Sequence, residues 1–327
     1  MLAVSPAINY LINYSLITGR MWSTYLKHME WSSVACAMLS IATPSSGEPV
    51  VFWILMALVG VPHGALDHLV WLQGDDAAEP SVSTWISFLS QYLAIMALYA
   101  TVWIISSRIS VLVFIAVACF HFGETELDFF SENKKQSFPF WFRFFIGWTF
   151  LSQILLLHLP EAFHILNPII QFSFQFDSKI LMILMLTHIL SFVLIEISVK
   201  TGSLSEAAAL KLSLTILVFL GINLVKSLLM SFAMFYGIGH SIKSLAVYKK
   251  QFRLSRFSLA RNLIPFSLIS VSGIALMIQF TSTSKLLTFF QSLSVIALPH
   301  ILLSSRLPIL FQKSSSSKLI ILGEAAI

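Results

Sequence analysis

The sequence predicts an all-α fold: a multi-pass membrane bundle of about eight to ten helices with a histidine site inside the bilayer. Three observations carry this prediction. Hydrophobic residues fill 57% of the 327 positions and charged residues only 11%, against roughly 25% charged in an ordinary soluble domain. A chain so apolar lacks the polar surface to cover a water-soluble globule, and its mean hydropathy is +0.85. Apolar stretches of about 20 residues, the length that crosses the hydrocarbon core as a helix, recur from end to end. Several of them carry a histidine well inside the apolar run.

In chain order, the expected spans are 31–44 (short), 50–72, 84–106, 109–128, 138–159, 179–198, 207–225, 226–246, 263–281 and 286–311. Only Lys226 interrupts 207–246, which therefore reads either as two helices or as one broken helix. Residues 1–30 form an N-terminal segment, 31–311 the transmembrane domain and 312–327 a Ser-rich tail, with no internal repeat and no second, soluble domain. The first membrane helix is expected to direct insertion, since residues 1–30 show no basic region followed by a cleavable apolar core. The intervening loops are short and polar: 74–83 holds Asp75, Asp76 and Glu79, 131–137 holds Lys134 and Lys135, and 200–206 joins two spans. Residues 161–178 read as an interfacial segment.

The formal charge of +5 is not spread evenly along the chain. Much of the excess lies in one run, Lys243, Lys249, Lys250, Arg253, Arg256 and Arg261, beside an apolar segment. Such a run marks a cytoplasmic loop among anionic headgroups, and no nucleic-acid partner is expected. The positive-inside rule puts this loop in the cytoplasm and the acidic 75–79 loop outside. The two assignments agree only if Lys134 and Lys135 lie outside and 207–246 crosses once. Cys36 and Cys119 fall in separate apolar stretches, which indicates neither a disulfide framework nor a thiolate metal site.

Four of the nine histidines stand at similar depths on four different segments. His63 lies in Gly60-Val-Pro-His-Gly-Ala-Leu-Asp-His68, His121 in Cys119-Phe-His-Phe-Gly-Glu124, His240 in Tyr236-Gly-Ile-Gly-His-Ser241, and His300 in Ala297-Leu-Pro-His-Ile-Leu302. Each is about 12 to 14 residues into its segment, roughly 18–21 Å along a helix at 1.5 Å per residue. Ionisable residues inside a membrane are expensive and face a partner in the bundle interior. Neutral imidazole is the commonest metal ligand, and an all-imidazole site suits Fe, Zn, Cu or Ni. Pro62 and Pro299 precede their histidines and disturb the helix where a ligand must be aimed. Gly64, Gly123 and Gly239 permit close approach. Asp67, four residues after His63, is expected to accept a hydrogen bond from that imidazole, and Glu124 to do the same for His121. His68 does not share a helical face with His63 and reads as a second-layer or substrate contact.

The other histidines read as structural: His28, His158 and His164 near segment ends, His188 as a helix–helix hydrogen bond. The paired His motifs of membrane di-iron desaturases and the doubled histidines of a dihaem cytochrome b are not found, and Lys226 is a weak Schiff-base candidate.

The blocks from Gly60 to His68, His121-Phe-Gly-Glu124, His240-Ser241 and Pro299-His300 resemble the Brp/Blh family of membrane β-carotene 15,15′-dioxygenases. The PHGAxDH block is the specific part, and the resemblance runs in order from about residue 30 to 310. It implies a multi-helix membrane enzyme that uses histidine-bound Fe(II) and O₂ to split β-carotene centrally into two molecules of retinal. It also implies a functional link to a retinal-binding rhodopsin, and hence a bacterial inner membrane. His63, His121 and His240 would then be the iron ligands. The family commonly reads His-Ser-x-Arg-His where this chain has His240-Ser-Ile-Lys-Ser244, so Lys243 and Ser244 depart from it. Either His300 or water completes the shell, or the activity is altered. The alternative is a non-catalytic carotenoid- or retinal-binding protein, or a metal transporter, on the same scaffold. An apolar rod such as β-carotene partitions into membrane lipid, where an intramembrane site meets it directly. Phenylalanines such as Phe142, Phe144, Phe145, Phe232 and Phe235 are candidates to line its path, although most of the 28 are expected to face lipid.

Overall fold

The computed structural model describes residues 31–72, 81–130, 138–170, 178–282 and 284–304. His28, the loops at 75–79 and 134–135, and the tail 312–327 lie outside the described residues. Eleven helices and no strand are found among those described. They are α1 (Trp31–Ala42), α2 (Ser45–Leu72), α3 (Val82–Ile105), α4 (Ser107–Phe130), α5 (Phe140–Leu157), α6 (Leu159–Ile170), α7 (Ser178–Lys200), α8 (Glu206–Val225), α9 (228–251), α10 (Arg256–Phe280) and α11 (Lys285–Ser304). Eight are long and apolar enough to cross a membrane: α2, α3, α4, α5, α7, α8, α10 and α11.

Local sequence sets the helix starts. Ser81, Ser205, Ser227 and Ser255 are extended N-cap residues whose hydroxyls accept from Thr84, Ala208, Met230 and Ser258 N–H groups, satisfying donors that the first turn leaves unbonded. Lys226 and Ser227 are both extended, so 207–246 is two helices and not one broken one. They form a hairpin, because Phe219 of α8 packs on Phe235 of α9 with ring centroids 5.4 Å apart. The region therefore runs out along α8 and back along α9.

That hairpin overturns the charge-based orientation. His68, near the end of α2, hydrogen-bonds Asn262, near the start of α10. The helix ends that flank the acidic loop thus lie at the same end of the bundle as the basic turn between α9 and α10, and the two loops cannot be assigned to opposite sides. Lys243 leaves the basic run altogether: it is buried, ion-paired to Glu126 at 2.8 Å.

The helices that carry the four histidines run parallel to one another. Phe52 pairs with Phe289 where His63 pairs with His300, so α2 and α11 are in register. His121 meets His240 and Glu126 meets Lys243, which aligns α4 with α9. Gly237 of α9 lies against Leu55 and Met56 of α2. Parallel helices entered from the same side bring residues of equal depth to one level.

Two of these helices are not regular at that level. In α2 a π-turn over Met56–Gly60 closes with Val61 N–H to Met56 O, and a 3₁₀ turn follows over Pro62–Leu66, where Pro62 has no N–H to continue an α-helix. In α9 a π-helical stretch covers Ala233–His240, and the Ser241 hydroxyl donates to the Tyr236 carbonyl at 2.6 Å. Pro299, by contrast, sits within the helix α11. α4 and α5 pack with almost no gap: a Cβ on Gly123 would lie 1.7 Å from the Arg143 carbonyl oxygen, and one on Gly147 1.7 Å from that of Cys119. Only small residues permit such an approach between membrane helices. Of residues 161–178, expected to be interfacial, 171–177 lie outside the described residues and 161–170 belong to α6, a 12-residue helix whose Ala162, Ile165 and Leu166 line the central cavity.

Candidate metal centre

His63, His240, His121 and His300 form a closed ring of imidazoles. Successive ring centroids are 5.2 Å (63 to 240), 5.0 Å (240 to 121), 5.3 Å (121 to 300) and 4.7 Å (300 to 63) apart. All four are buried. One nitrogen from each of His63, His121 and His300 lies within 4.8 Å of the other two, a grouping able to hold a metal ion.

Hydrogen bonds fix which nitrogen faces the centre. His63 Nδ1 lies 2.5 Å from the Gly60 carbonyl oxygen, an acceptor only, so Nδ1 carries the proton and donates. His300 Nδ1 donates to Asp67 Oδ1 at 2.6 Å. The Nε2 atoms of both rings are left as acceptors, and neither has a hydrogen-bond partner among the described residues; nor does either nitrogen of His240. Buried polar atoms left bare in an apolar medium cost several kcal/mol each on alkane-transfer scales (~4–8). Bare nitrogens within a ring of imidazoles fit a cation whose bonds would satisfy them, and the rings whose nitrogens gather within reach of one ion are those of His63, His121 and His300, with His240 beside them.

The expected supporting contacts are real residues with different partners. Asp67 holds His300, not His63, and its other oxygen accepts from the Tyr92 hydroxyl at 3.0 Å. The 3₁₀ turn explains this. Four residues span about 40° beyond one full turn in an α-helix but about 120° at three residues per turn, so Asp67 leaves the His63 face. Glu124 is ion-paired with Arg143 of α5 at 2.6 Å. His68 lies outside the ring: it hydrogen-bonds Ala65 O and Asn262 and stacks on Phe266 and Trp85. Gly64 lies at ordinary contact distance from the His300 ring, 3.5 Å from a built Cβ. Ser244 is buried one turn after His240.

Tyr92, Arg143 and the Glu126–Lys243 pair escaped the sequence reading. The signal was present: two buried acids within apolar α4, Glu124 and Glu126, require two bases from facing apolar helices, and Arg143 and Lys243 are buried charges inside those helices. Lys243 also sits over the Phe129 and Phe130 rings, at 5.1 and 5.0 Å.

From the imidazole ring a cavity of about 130 Å³ runs between α4, α5, α6, α9 and α11. His63, His121 and His300 line one end, and Leu287 lies roughly 20 Å of helix rise below His300. The remaining wall is almost wholly apolar, with Phe114, Phe122, Phe232 and Phe290 in it. Of the phenylalanines proposed from sequence, Phe232 lines the cavity; Phe142 and Phe235 are buried in the packed core.

Fold and site together define a multi-pass membrane protein with an intramembrane polyhistidine centre that opens on an apolar cavity. The family described as Beta-carotene 15,15'-dioxygenase matches residues 54–308 of the 327-residue chain, and the chain belongs to that family. Neither curated proteins nor solved structures give a significant match. Family membership supports a carotenoid dioxygenase-like enzyme, with three buried histidines able to hold a metal ion.

Proposed function

We propose that the protein binds Fe(II) through His63, His121, His240 and His300 and cleaves β-carotene with O₂ at its central double bond, giving two molecules of retinal. The observation that carries this reading is the ring of four converged imidazoles at the end of an apolar cavity. When bound, the iron supplies the open-shell chemistry that lets O₂ react with a polyene. The chain does the rest. Gly60 O and Asp67 hold the Nδ1 protons of His63 and His300, keeping their Nε2 lone pairs aimed inward. The Phe-lined wall holds the polyene against the histidines and excludes water from the reacting bond. In the balanced reaction one carbon–carbon double bond breaks, each new aldehyde takes one oxygen atom, and no external reductant is consumed.

Ser244 does not leave the set short of imidazoles, because His300 supplies the fourth. Retinal leaves in the lipid phase, where a retinal-binding rhodopsin in the same bacterial inner membrane would take it. Expression in cells that make β-carotene tests the reading: the cells should bleach and yield retinal. Retained colour with the protein verified in the membrane would overturn it. The Ser244 departure favours a second reading, carotenoid binding or metal transport without turnover, which predicts intact carotenoid co-purifying with the protein both in wild type and in Ser244→His.

A further inference from the structure

We propose that Tyr92 is a positioning residue of the metal centre, acting through Asp67 on His300. The inference rests on the metal site proposed above. α3 is mostly lipid-facing, with only Phe88 and Tyr99 buried, yet Tyr92 reaches inward between α2 and α11 to donate to Asp67 Oδ2 at 3.0 Å. A weaker alternative acceptor, the Ile296 carbonyl of α11, is 3.4 Å away. Asp67 Oδ1 takes the His300 Nδ1 proton at 2.6 Å, so each carboxylate oxygen has one donor. No Lys or Arg is hydrogen-bonded or ion-paired to Asp67 among the described residues.

A carboxylate without a basic partner inside a membrane needs a compensating positive charge. The path to one runs through the His300 ring: a cation on Nε2 strengthens the Nδ1–H bond to Asp67, and Asp67 in turn makes His300 a better donor of its lone pair. Tyr92 fixes the carboxylate's rotation about its Cβ–Cγ bond, so that Oδ1 faces His300. Without the hydroxyl, Asp67 is free to turn, and His300 loses its fixed aim. Tyr99 provides a control on the same helix. Its hydroxyl donates to the Ser110 carbonyl at 2.7 Å, a buried bond of equal kind that touches no histidine.

The test uses Co(II) as the probe, titrated anaerobically into the purified full chain in detergent and followed by its visible d–d bands. Wild type should bind one equivalent. D67N should weaken binding by about 10- to 100-fold, the range for outer-layer partners of a ligating histidine. Y92F should weaken it by about two- to tenfold, the worth of one hydrogen bond, and shift the d–d bands. Y99F should lose thermal stability but keep both affinity and spectrum. Wild-type affinity and an unshifted spectrum in Y92F, with wild type binding normally, would overturn the role of Tyr92 alone. Failure of wild type to bind Co(II) would overturn the metal site itself, and this inference with it.

Discussion

Two sets of buried histidines occupy this bundle under the same constraint and solve it differently. His158 has one ring nitrogen 2.8 Å from the Ile154 carbonyl and the other 2.7 Å from that of Lys226. His188 donates from Nδ1 to Leu184 O and accepts at Nε2 from the Gln153 amide, both at 2.7 Å. His63 and His300 satisfy Nδ1 in the same manner and then leave Nε2 bare, and His240 leaves both nitrogens bare. A histidine in an apolar helix is therefore uninformative by itself. What separates structure from chemistry is the second nitrogen. The histidine at 158 belongs to a satisfied polar knot in which Glu48 pairs with Lys226 and accepts from Ser227 N–H, while Glu161 accepts from Leu228 N–H. The ring at 63, 121, 240 and 300 is a polar cluster that its own contacts leave incomplete.

That contrast can be broken most directly by deleting rings. His63→Ala, His121→Ala and His240→Ala should each abolish bound iron, whereas His188→Ala should leave it at the wild-type level. Elemental analysis of the purified variants decides it, and normal iron in the first three would remove the proposed ligand set.

Next in size is the clamp between two of the histidine-bearing helices. Glu126→Gln should destabilise the fold by about 3–5 kcal/mol, because it removes the carboxylate charge from a buried ion pair. The double variant Glu126→Leu/Lys243→Met should lose much less than the single changes summed. Thermal unfolding in detergent measures both. A smaller loss is expected where α4 meets α5. Gly123→Ala places a methyl group 1.7 Å from a carbonyl oxygen, so the helices must separate, at about 1–3 kcal/mol or more. The smallest stability effect belongs to the satisfied set: His158→Ala should cost about 0.5–1.5 kcal/mol through the hydrogen bond to a carbonyl that it removes and leave the metal content unchanged.

The sequence made the four histidine-bearing helices legible because a polar residue deep in an apolar run stands out whatever its partners are. Their common level followed from segment lengths, but their parallel arrangement did not, because the direction of the His240 helix depends on the break at Lys226. Contacts that depend on the local helix type were not legible. The expected Asp67–His63 bond assumed an α-helical step of 100° per residue, and the 3₁₀ turn at Pro62–Leu66 redirects the carboxylate to α11. Glu124 was read as an acceptor for His121, and Lys243 as part of a basic cytoplasmic loop. Their ion-pair partners, Arg143 and Glu126, lie on other helices at separations that no local pattern encodes. The hairpin at Lys226 turned on a single pair of extended residues, too short a break to separate from a kink by composition.

One measurement bears on the central claim before any assay of turnover: the metal content of the purified, anaerobically reconstituted protein. Four converged imidazoles predict about one tightly held iron per chain, lost in His63→Ala. A wild-type protein that folds normally, takes up no transition metal and matches His63→Ala in metal content would contradict the account.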